Sequence, residues 1–221
     1  GILSLEDGAR VVALRSQALR ALSGHGGMLS IAEPVEVITD RIEPWAGRVA
    51  VAAINGPEAT VISGDLDALT EIAEKCEQAG VRRRLLPVDY ASHGPQVDQL
   101  REEILAALAG ITPRAGTVPL TSSLTGGPLA GEDAGPEYWY ASLRATVEFS
   151  QAIQSLHASG RNVFIEVSPH PVLVNAISAT VEQVIDDDVE FVEPLVVGTL
   201  RRDEGTAERF LKSLAEVHVR G

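Results

Sequence analysis

Arg15 is the residue whose type and position give the sequence its first chemical signal. The sequence predicts a helix from Ser4 to about Leu22, with Val11, Ala18 and Leu22 on its apolar face. At about 100° per residue, Arg15 falls near the middle of that face. A buried guanidinium needs an anionic partner, because burying an unpaired charge is costly. The partner is either a core carboxylate in a structural ion pair or a substrate carboxylate, and spacing alone leaves both open.

His93 is the second candidate, in the segment DYASHGP between a predicted strand over 81–88 and a predicted helix. Enzymes of the α/β class place catalytic groups at strand-to-helix junctions. A neutral imidazole there can act as general base toward a hydroxyl or a thiol. His170 follows the predicted strand 162–168 in a comparable position. A hydrogen-bonded structural role stays open for both histidines.

No nucleophile accompanies these side chains in the sequence. The G-x-S-x-G elbow is absent, as are the C-x-x-C and H-E-x-x-H metal spacings and a glycine-rich phosphate loop. Cys76 falls on the apolar side of a predicted helix, which indicates core packing. Spacing alone therefore indicates an α/β protein with one notable arginine and one or two notable histidines.

Composition and charge argue against several classes of function. The 221 residues are 45% hydrophobic and 22% charged, which is typical of a globular chain. The net charge of −13 argues against nucleic acid as a partner, since phosphate binding needs clustered Lys and Arg. The absence of an apolar run of about 18 residues argues against a membrane span. A single cysteine without a signal peptide favours a reducing, cytoplasmic location.

One short basic cluster, Arg82-Arg83-Arg84, stands out from this acidic background. Alternation along a strand predicts that part of the cluster is solvent-exposed. We interpret it as a solvated strand face, with contact to an acidic carrier protein or a nucleotide phosphate as the alternative.

The elements that must position these side chains follow from the apolar rhythm of the chain. Residues 28–88 alternate as strand, helix, strand, strand, helix and strand. This order is the split βαβ or ferredoxin-like arrangement. Further helices are predicted over 96–109, over 138–158 in two pieces, over 172–184 and over 206–217. Strand-like or extended segments cover 118–124, 162–168 and 191–200, whereas GGPLAGEDAGPE is a predicted loop. The alternation indicates the α/β class.

Segment 162–168 is nearly continuously apolar, which is typical of a parallel strand buried on both faces. The helix over 206–217 is amphipathic, so we expect it to need a partner surface.

Seven segments together resemble the acyltransferase domain of modular type I polyketide synthases. They are SLEDGARVVALRSQAL, GGMLSI, VAAINGPEATVISGD, VDYASHGPQV, YWYASLRATVEF, FIEVSPHPVL and VVGTLRRDE. They occur in the family's order and span nearly the whole chain, which is far more specific than any single motif. The resemblance implies an α/β-hydrolase-like large subdomain, incomplete in this chain, with a ferredoxin-like small subdomain inserted.

The implied boundaries divide the chain into four parts. Residues 1–27 are a helical part of the large subdomain, and 28–88 are the small subdomain. Residues 89–198 are the remainder of the large subdomain, and 199–221 are the linker that follows the acyltransferase.

The resemblance also implies a reaction. The family moves an extender unit, here methylmalonyl, from coenzyme A to the phosphopantetheine thiol of an acyl carrier protein through an acyl-serine intermediate. It assigns His93 as the general base, with the backbone carbonyl of Glu148 orienting the imidazole. It assigns Arg15 to the free carboxylate of the extender unit. Methylmalonyl-coenzyme A is then a substrate, and neither a tightly bound cofactor nor a metal is expected.

Substrate selectivity is assigned to the motif Tyr90-Ala91-Ser92-His93, with Met28 also at the substrate site. The YASH form resembles methylmalonyl-selecting domains, whereas malonyl-selecting domains usually show HAFH. Small Ser92, where a phenylalanine would stand, leaves room for the α-methyl branch. One methyl group is worth about 1–3 kcal/mol of discrimination, so the motif gives a preference.

Departures from the family pattern bear on the extent of the chain and on the site. The family's GHSxGE elbow and oxyanion-hole donors precede the matched region, so we expect one piece of a larger polypeptide that is inactive alone. Ser142-Leu143-Arg144 and Thr146-Val147 stand where Asn-Leu-Arg and Pro-Val are usual, and Gly94 replaces a commoner serine. The expected partners are the carrier protein, the preceding ketosynthase and the rest of the acyltransferase, in a homodimeric parent.

Two other functions stay open at the level of sequence. One is a non-catalytic docking or scaffold segment of a megasynthase. The other is a malonyl- or ethylmalonyl-selecting acyltransferase.

Overall fold

The computed structural model describes residues 1–184 and 194–220 as a mixed α/β fold, which confirms the predicted class. The helices are α1 (Leu5–Leu19), α2 (Val35–Ile42), α3 (Leu66–Gln78), α4 (Arg101–Leu108), α5 (Pro136–Arg144), α6 (Phe149–Ala158), α7 (Val174–Gln183) and α8 (Ala207–His218). The strands are β1 (Gly27–Ile31), β2 (Val49–Gly56), β3 (Ala59–Gly64), β4 (Arg83–Leu85), β5 (Leu120–Ser122), β6 (Gly127–Leu129), β7 (Val163–Glu166) and β8 (Leu195–Gly198). Short 3₁₀ turns lie at Arg20–Leu22, Glu43–Trp45, Pro95–Leu100 and Gly131–Asp133.

Strands β1 to β4 form one antiparallel sheet in the order β2-β3-β1-β4. With α2 after β1 and α3 after β3, this is the ferredoxin-like arrangement predicted from the apolar rhythm. The two helices cover one face of the sheet, where Leu29, Ile62 and Ile72 are fully buried. Cys76 packs in the same cluster as expected for a core thiol, and burial raises its pKa.

The opposite face of this sheet joins the rest of the chain. Ala52 and Ala53 of β2 are buried there, with Met28 and Val147 packed against them. The Val147 amide donates to the carbonyl of Ala52 at 2.9 Å, and the Val147 carbonyl accepts from the Ile54 amide at 2.9 Å. The segment before α6 is therefore held like an added strand along β2, which fixes its position against the small sheet.

Helix α1 begins as the sequence predicts, because the Ser4 hydroxyl accepts a hydrogen bond from the Asp7 amide at 3.0 Å. Its apolar face, made of Val11, Ala18 and the following Leu22, is buried. It packs against α4 and α5 in a second core that includes Ile104, Leu108 and Leu143. This cluster supports the loop that carries His93.

Strands β7 and β8 pair in parallel, with α6 and α7 packed on one face around Phe164. The prediction that β7 is buried on both faces is wrong for the described chain, since Val163 is 45% and Ile165 is 48% exposed. Val197, the partner of Ile165 in β8, is buried on the same side, so the described residues cover β8 and leave β7 partly exposed. The apolar run did not specify which faces other segments cover.

Three other segments refine the sequence interpretation. β6 forms inside the predicted loop and pairs with β5. The helix expected over 96–109 begins as the 3₁₀ turn Pro95–Leu100 and becomes α-helical at Arg101. Within the predicted extended segment 191–200, Leu195–Gly198 is strand β8, whereas 191–193 lie outside the described residues.

Helix α8 is capped by Thr206, whose hydroxyl accepts from the Arg209 amide at 3.2 Å. Its apolar residues Phe210, Leu211 and Leu214 are exposed. In the part of the chain that the structure describes, no helix combines the length and apolar character needed to cross a bilayer.

Candidate active site

His93 lies in the loop between β4 and the 3₁₀ turn Pro95–Leu100. Its ring nitrogen Nδ1 is 2.9 Å from the carbonyl oxygen of Ala145, and its backbone amide donates to the carbonyl of Leu143 at 2.9 Å. A carbonyl only accepts, so this contact requires the proton on Nδ1 and leaves the lone pair on Nε2. That tautomer is the one a general base needs.

The prediction that the carbonyl of Glu148 orients the imidazole is wrong. That oxygen accepts from the Ala152 amide at 3.0 Å, as the first hydrogen bond of α6. The Ala145 carbonyl takes its place, because the next residues are pinned to β2. The Thr146 hydroxyl donates to the carbonyl of Val51 at 2.9 Å, which keeps the segment extended and directs the Ala145 oxygen at the ring.

The backbone of His93 has a φ of 56°, in the left-handed region that residues with a side chain rarely adopt. Such a conformation costs about 1–3 kcal/mol and persists only where the surroundings enforce it. Here the two hydrogen bonds to Leu143 and Ala145 hold both the backbone and the ring. The two hydrogen bonds therefore hold the imidazole in position although the backbone of His93 is strained.

Burial lowers the pKa of His93 below its ordinary value, and the positive charge of Arg15 lowers it further. The hydrogen bond to Ala145 acts in the opposite direction but does not outweigh them. The imidazole is therefore neutral near pH 7 and ready to accept a proton.

Arg15 is half-buried on α1, as its position on the helix predicts. Its Nε is buried without a hydrogen-bond partner, and burial lowers the pKa of the guanidinium. No carboxylate among the described residues forms an ion pair with it. The ring of Trp139 lies 5.9 Å from its Cζ. The structural ion pair left open by the sequence is thus not found in the described part of the chain.

The selectivity motif meets strand β1 at the same place. Ser92 is 6% exposed, and its hydroxyl lies 3.4 Å from the sulfur of Met28. Tyr90 forms a backbone bridge with His25 and packs against the core cluster that contains Leu143. The structure therefore brings Met28 and Ser92 beside the histidine loop, with Tyr90 in the core beneath it.

The other residues noted in the sequence have different surroundings. His170 is exposed, and its Nδ1 accepts from the Arg202 amide at 3.2 Å, which supports a structural role. Arg83 forms an ion pair with Glu77 at 2.6 Å, whereas Arg82 and Arg84 are exposed, as a solvated strand face requires. Within residues 1–184 and 194–220, no group of three or more potential metal ligands comes together.

Sequence reasoning missed two features of this site. The carbonyl of Ala145 carries no signal in residue type, because every residue has one. Trp139 had a signal, since an aromatic side chain in the quoted block YWYASLRATVEF was available to meet a buried cation.

Comparisons with known proteins agree with this architecture. The family model described as the acyl transferase domain matches residues 1–221. The spectinabilin polyketide synthase system protein NorA' of Streptomyces orinoci is 54% identical over 222 residues, which cover 100% of this chain and 6% of the relative. Erythronolide synthase EryA3 of Saccharopolyspora erythraea is 47% identical over 221 residues, with the same coverage of 100% and 6%.

A solved structure gives the same result in three dimensions. The acyltransferase domain from module 8 of the salinomycin polyketide synthase superposes with a TM-score of 0.94 at 50% identity. The match covers 100% of this chain and 51% of that chain, so this chain spans about half of the solved protein and a small part of each curated relative. The chain therefore belongs to the acyl transferase domain family, in the form that modular type I polyketide synthases carry.

Proposed function

We propose that this chain supplies the general base and the carboxylate-binding residue of an extender-unit acyltransferase. The enzyme moves a methylmalonyl group from coenzyme A to the phosphopantetheine thiol of an acyl carrier protein. The observation that carries this proposal is a partly buried arginine with no ion pair among the described residues, packed against Trp139 of α5. The C-terminal end of the same helix holds His93 through two hydrogen bonds. A free guanidinium beside a base suits a substrate that brings its own carboxylate.

In the proposed first half-reaction, Nε2 of His93 accepts the proton of a serine hydroxyl as the serine oxygen attacks the thioester carbonyl. The family carries this serine in a GHSxGE motif ahead of the region that this chain matches. The carbon–sulfur bond to coenzyme A then breaks, and the imidazolium returns its proton to the departing sulfur. In the second half-reaction, His93 accepts the proton of the pantetheine thiol, whose sulfur attacks the acyl-serine ester. The bond between the acyl carbon and the serine oxygen then breaks, and the imidazolium returns its proton to that oxygen.

Arg15 and Ser92 determine which acyl group enters in this proposal. The guanidinium of Arg15 binds the free carboxylate through two parallel hydrogen bonds. Ser92, buried against Met28, leaves space for the α-methyl branch. A methyl group contributes about 1–3 kcal/mol, so malonyl and ethylmalonyl thioesters compete with lower rates.

The partners follow from the same proposal. The carrier protein presents the accepting thiol, and the segment with the serine motif completes the site. Residues 199–221 act as the linker after the acyltransferase. The exposed apolar side of α8, with Phe210 and Leu214, supports contact with the preceding ketosynthase. We also propose that the complete polypeptide is a homodimer.

The test uses the complete synthase polypeptide with His93→Ala, and with His170→Ala as a matched control at an exposed histidine outside the site. Intact-mass measurement after mixing with methylmalonyl-coenzyme A follows acyl-serine formation. We expect the rate to fall by about 10²–10⁴-fold in His93→Ala, the range typical of a lost general base, and to be unchanged in the control. Normal loading of His93→Ala would contradict the proposed mechanism.

A second measurement separates the substrate classes. Equimolar methylmalonyl-, malonyl- and ethylmalonyl-coenzyme A compete for the wild-type polypeptide, and the acyl-serine masses give the ratio. Preferred methylmalonyl loading supports the selectivity of the YASH motif. Equal loading of malonyl and methylmalonyl would be consistent with acyltransferase activity but would contradict the proposal that Ser92 selects the α-methyl branch.

A further inference from the structure

We propose that Trp139 is a positioning residue for Arg15. Its ring stabilises the guanidinium in place of a carboxylate side chain, so that the guanidinium is free to bind the carboxylate of the substrate. The inference rests on the proposed function, in which Arg15 binds that carboxylate. The relevant observation is the indole ring of Trp139, 5.9 Å from the Cζ of Arg15.

The contact with Trp139 stabilises a guanidinium that is partly removed from water. Arg15 is half-buried, and its Nε is buried without a hydrogen-bond partner in the described part of the chain. Burial lowers the pKa of the guanidinium. Among the described residues, the phenol of Tyr138 is the titratable neighbour that favours its charged form. A cation held in this way is stabilised by the negative face of an aromatic ring, and tryptophan gives the strongest such contact.

Trp139 is itself held in place from several sides. Its indole N–H donates to the carbonyl of Ala134 at 2.8 Å, and Ala134 is fully buried. Its ring makes an edge-to-face contact with Tyr138, with centroids 5.1 Å apart. The Tyr138 hydroxyl in turn shares a 2.8 Å hydrogen bond with that of buried Ser122. The ring is therefore a fixed surface against which the guanidinium packs.

The choice of an aromatic ring has a chemical consequence for Arg15. A carboxylate partner would occupy the hydrogen-bond donors of the guanidinium and would have to be displaced by the substrate. A ring stabilises the cation through its face and leaves the N–H groups unbonded. The fork of donors then stays available for a carboxylate that arrives in the plane of the guanidinium.

Tyr140 on the same helix provides a matched comparison. Its ring lies 5.7 Å from the Cζ of Arg101, and it packs in the same core cluster as Trp139. Arg101 is exposed at the start of α4 and has no part in the proposed site. Replacing Tyr140 thus removes a similar ring–cation contact and the 3.0 Å hydrogen bond from its hydroxyl to Asp98, and leaves in place the side chains assigned to the substrate.

The experiment uses the complete synthase polypeptide with Trp139→Leu, Trp139→Phe and Tyr140→Leu. Acyl-serine formation is measured with methylmalonyl-coenzyme A, which has a free carboxylate, and with propionyl-coenzyme A, which lacks it. For Trp139→Leu we expect KM for methylmalonyl-coenzyme A to rise about 3- to 30-fold with kcat little changed, because a ground-state binding contact is lost. Trp139→Phe keeps a ring and should show a smaller rise, about two- to fivefold. Neither variant should change the propionyl rate by more than about twofold.

Several results decide the question. Equal losses for both thioesters in Trp139→Leu, matching those of Tyr140→Leu, would mean that Trp139 only packs the core. If Trp139→Leu fails to fold, Trp139→Phe carries the test, and an unchanged ratio of the two thioesters overturns the inference. A wild-type polypeptide that shows no preference for the carboxylated thioester would instead reject the role of Arg15 in the proposed function.

Discussion

Arg15→Met should separate two effects of the unpaired guanidinium, its cost to the stability of the fold and its contribution to substrate binding. Methionine keeps most of the length and the apolar contacts of the side chain but removes the charge. The variant is made in the complete synthase polypeptide. Arg10→Met on the same helix is the matched control, because Arg10 is exposed and its Nη1 lies 4.0 Å from a carboxylate oxygen of Asp7, outside the proposed site.

The size of the effect follows from the surroundings of Arg15. None of the described side chains hydrogen-bonds to its guanidinium, so the substrate carboxylate displaces no protein partner when it binds. Losing one partner of a desolvated, hydrogen-bonded charge pair costs about 2–5 kcal/mol, and 1.4 kcal/mol is a factor of ten. The kcat/KM for methylmalonyl-coenzyme A should therefore fall by about 10²–10³-fold. The rate with propionyl-coenzyme A should stay the same or rise, since no carboxylate has to be matched.

Stability should move in the opposite direction from activity. A partly buried cation without a counter-ion is unfavourable to the folded state, and an apolar side chain of similar volume removes that cost. We expect the free energy of unfolding to rise by about 1 kcal/mol in Arg15→Met. Acyl-serine kinetics with both thioesters and denaturant unfolding of the same samples provide the test. Equal loss with both thioesters together with lower stability would show that Arg15 is structural, and the reasoning would be refuted.

The remaining predictions concern the histidine and the selectivity motif. Arg15→Met removes a positive charge that lowers the pKa of His93, so the acid limb of kcat/KM for propionyl-coenzyme A should move to higher pH. The neutral base is populated only above its pKa, and a limb at the wild-type pH would contradict the coupling. Ser92→Phe fills buried space beside Met28 and should shift competition toward malonyl-coenzyme A by about 10- to 100-fold. An unchanged ratio of the two acyl-serine masses would remove Ser92 from selectivity.

Local patterns were enough to predict the order of strands and helices over residues 28–88 and the place of Arg15 on α1. Strand and helix periods are set by neighbouring residues, so the order of elements over residues 28–88 could be inferred directly. The apolar face of α1 likewise needs only the spacing of Val11, Ala18 and Leu22, and the structure buries all three. Such features depend on short separations along the chain.

The partner of His93 could not be predicted in the same way. The imidazole and the Ala145 carbonyl are 52 residues apart, and which carbonyl faces the ring depends on how Thr146 and Val147 bind to β2. Backbone carbonyls are chemically alike, so residue type cannot distinguish Ala145 from Glu148. The exposure of β7 has a similar origin, since an apolar run does not reveal which of its faces a helix covers.

The left-handed backbone at His93 sets two aims of protein engineering against each other. Glycine or asparagine adopts that conformation with less strain, so a screen for thermostability alone should enrich them at this position. Each such variant lacks the imidazole and therefore the proton acceptor. Libraries built on this scaffold therefore need residue 93 held constant, or a selection for turnover applied in the same round as the selection by heat.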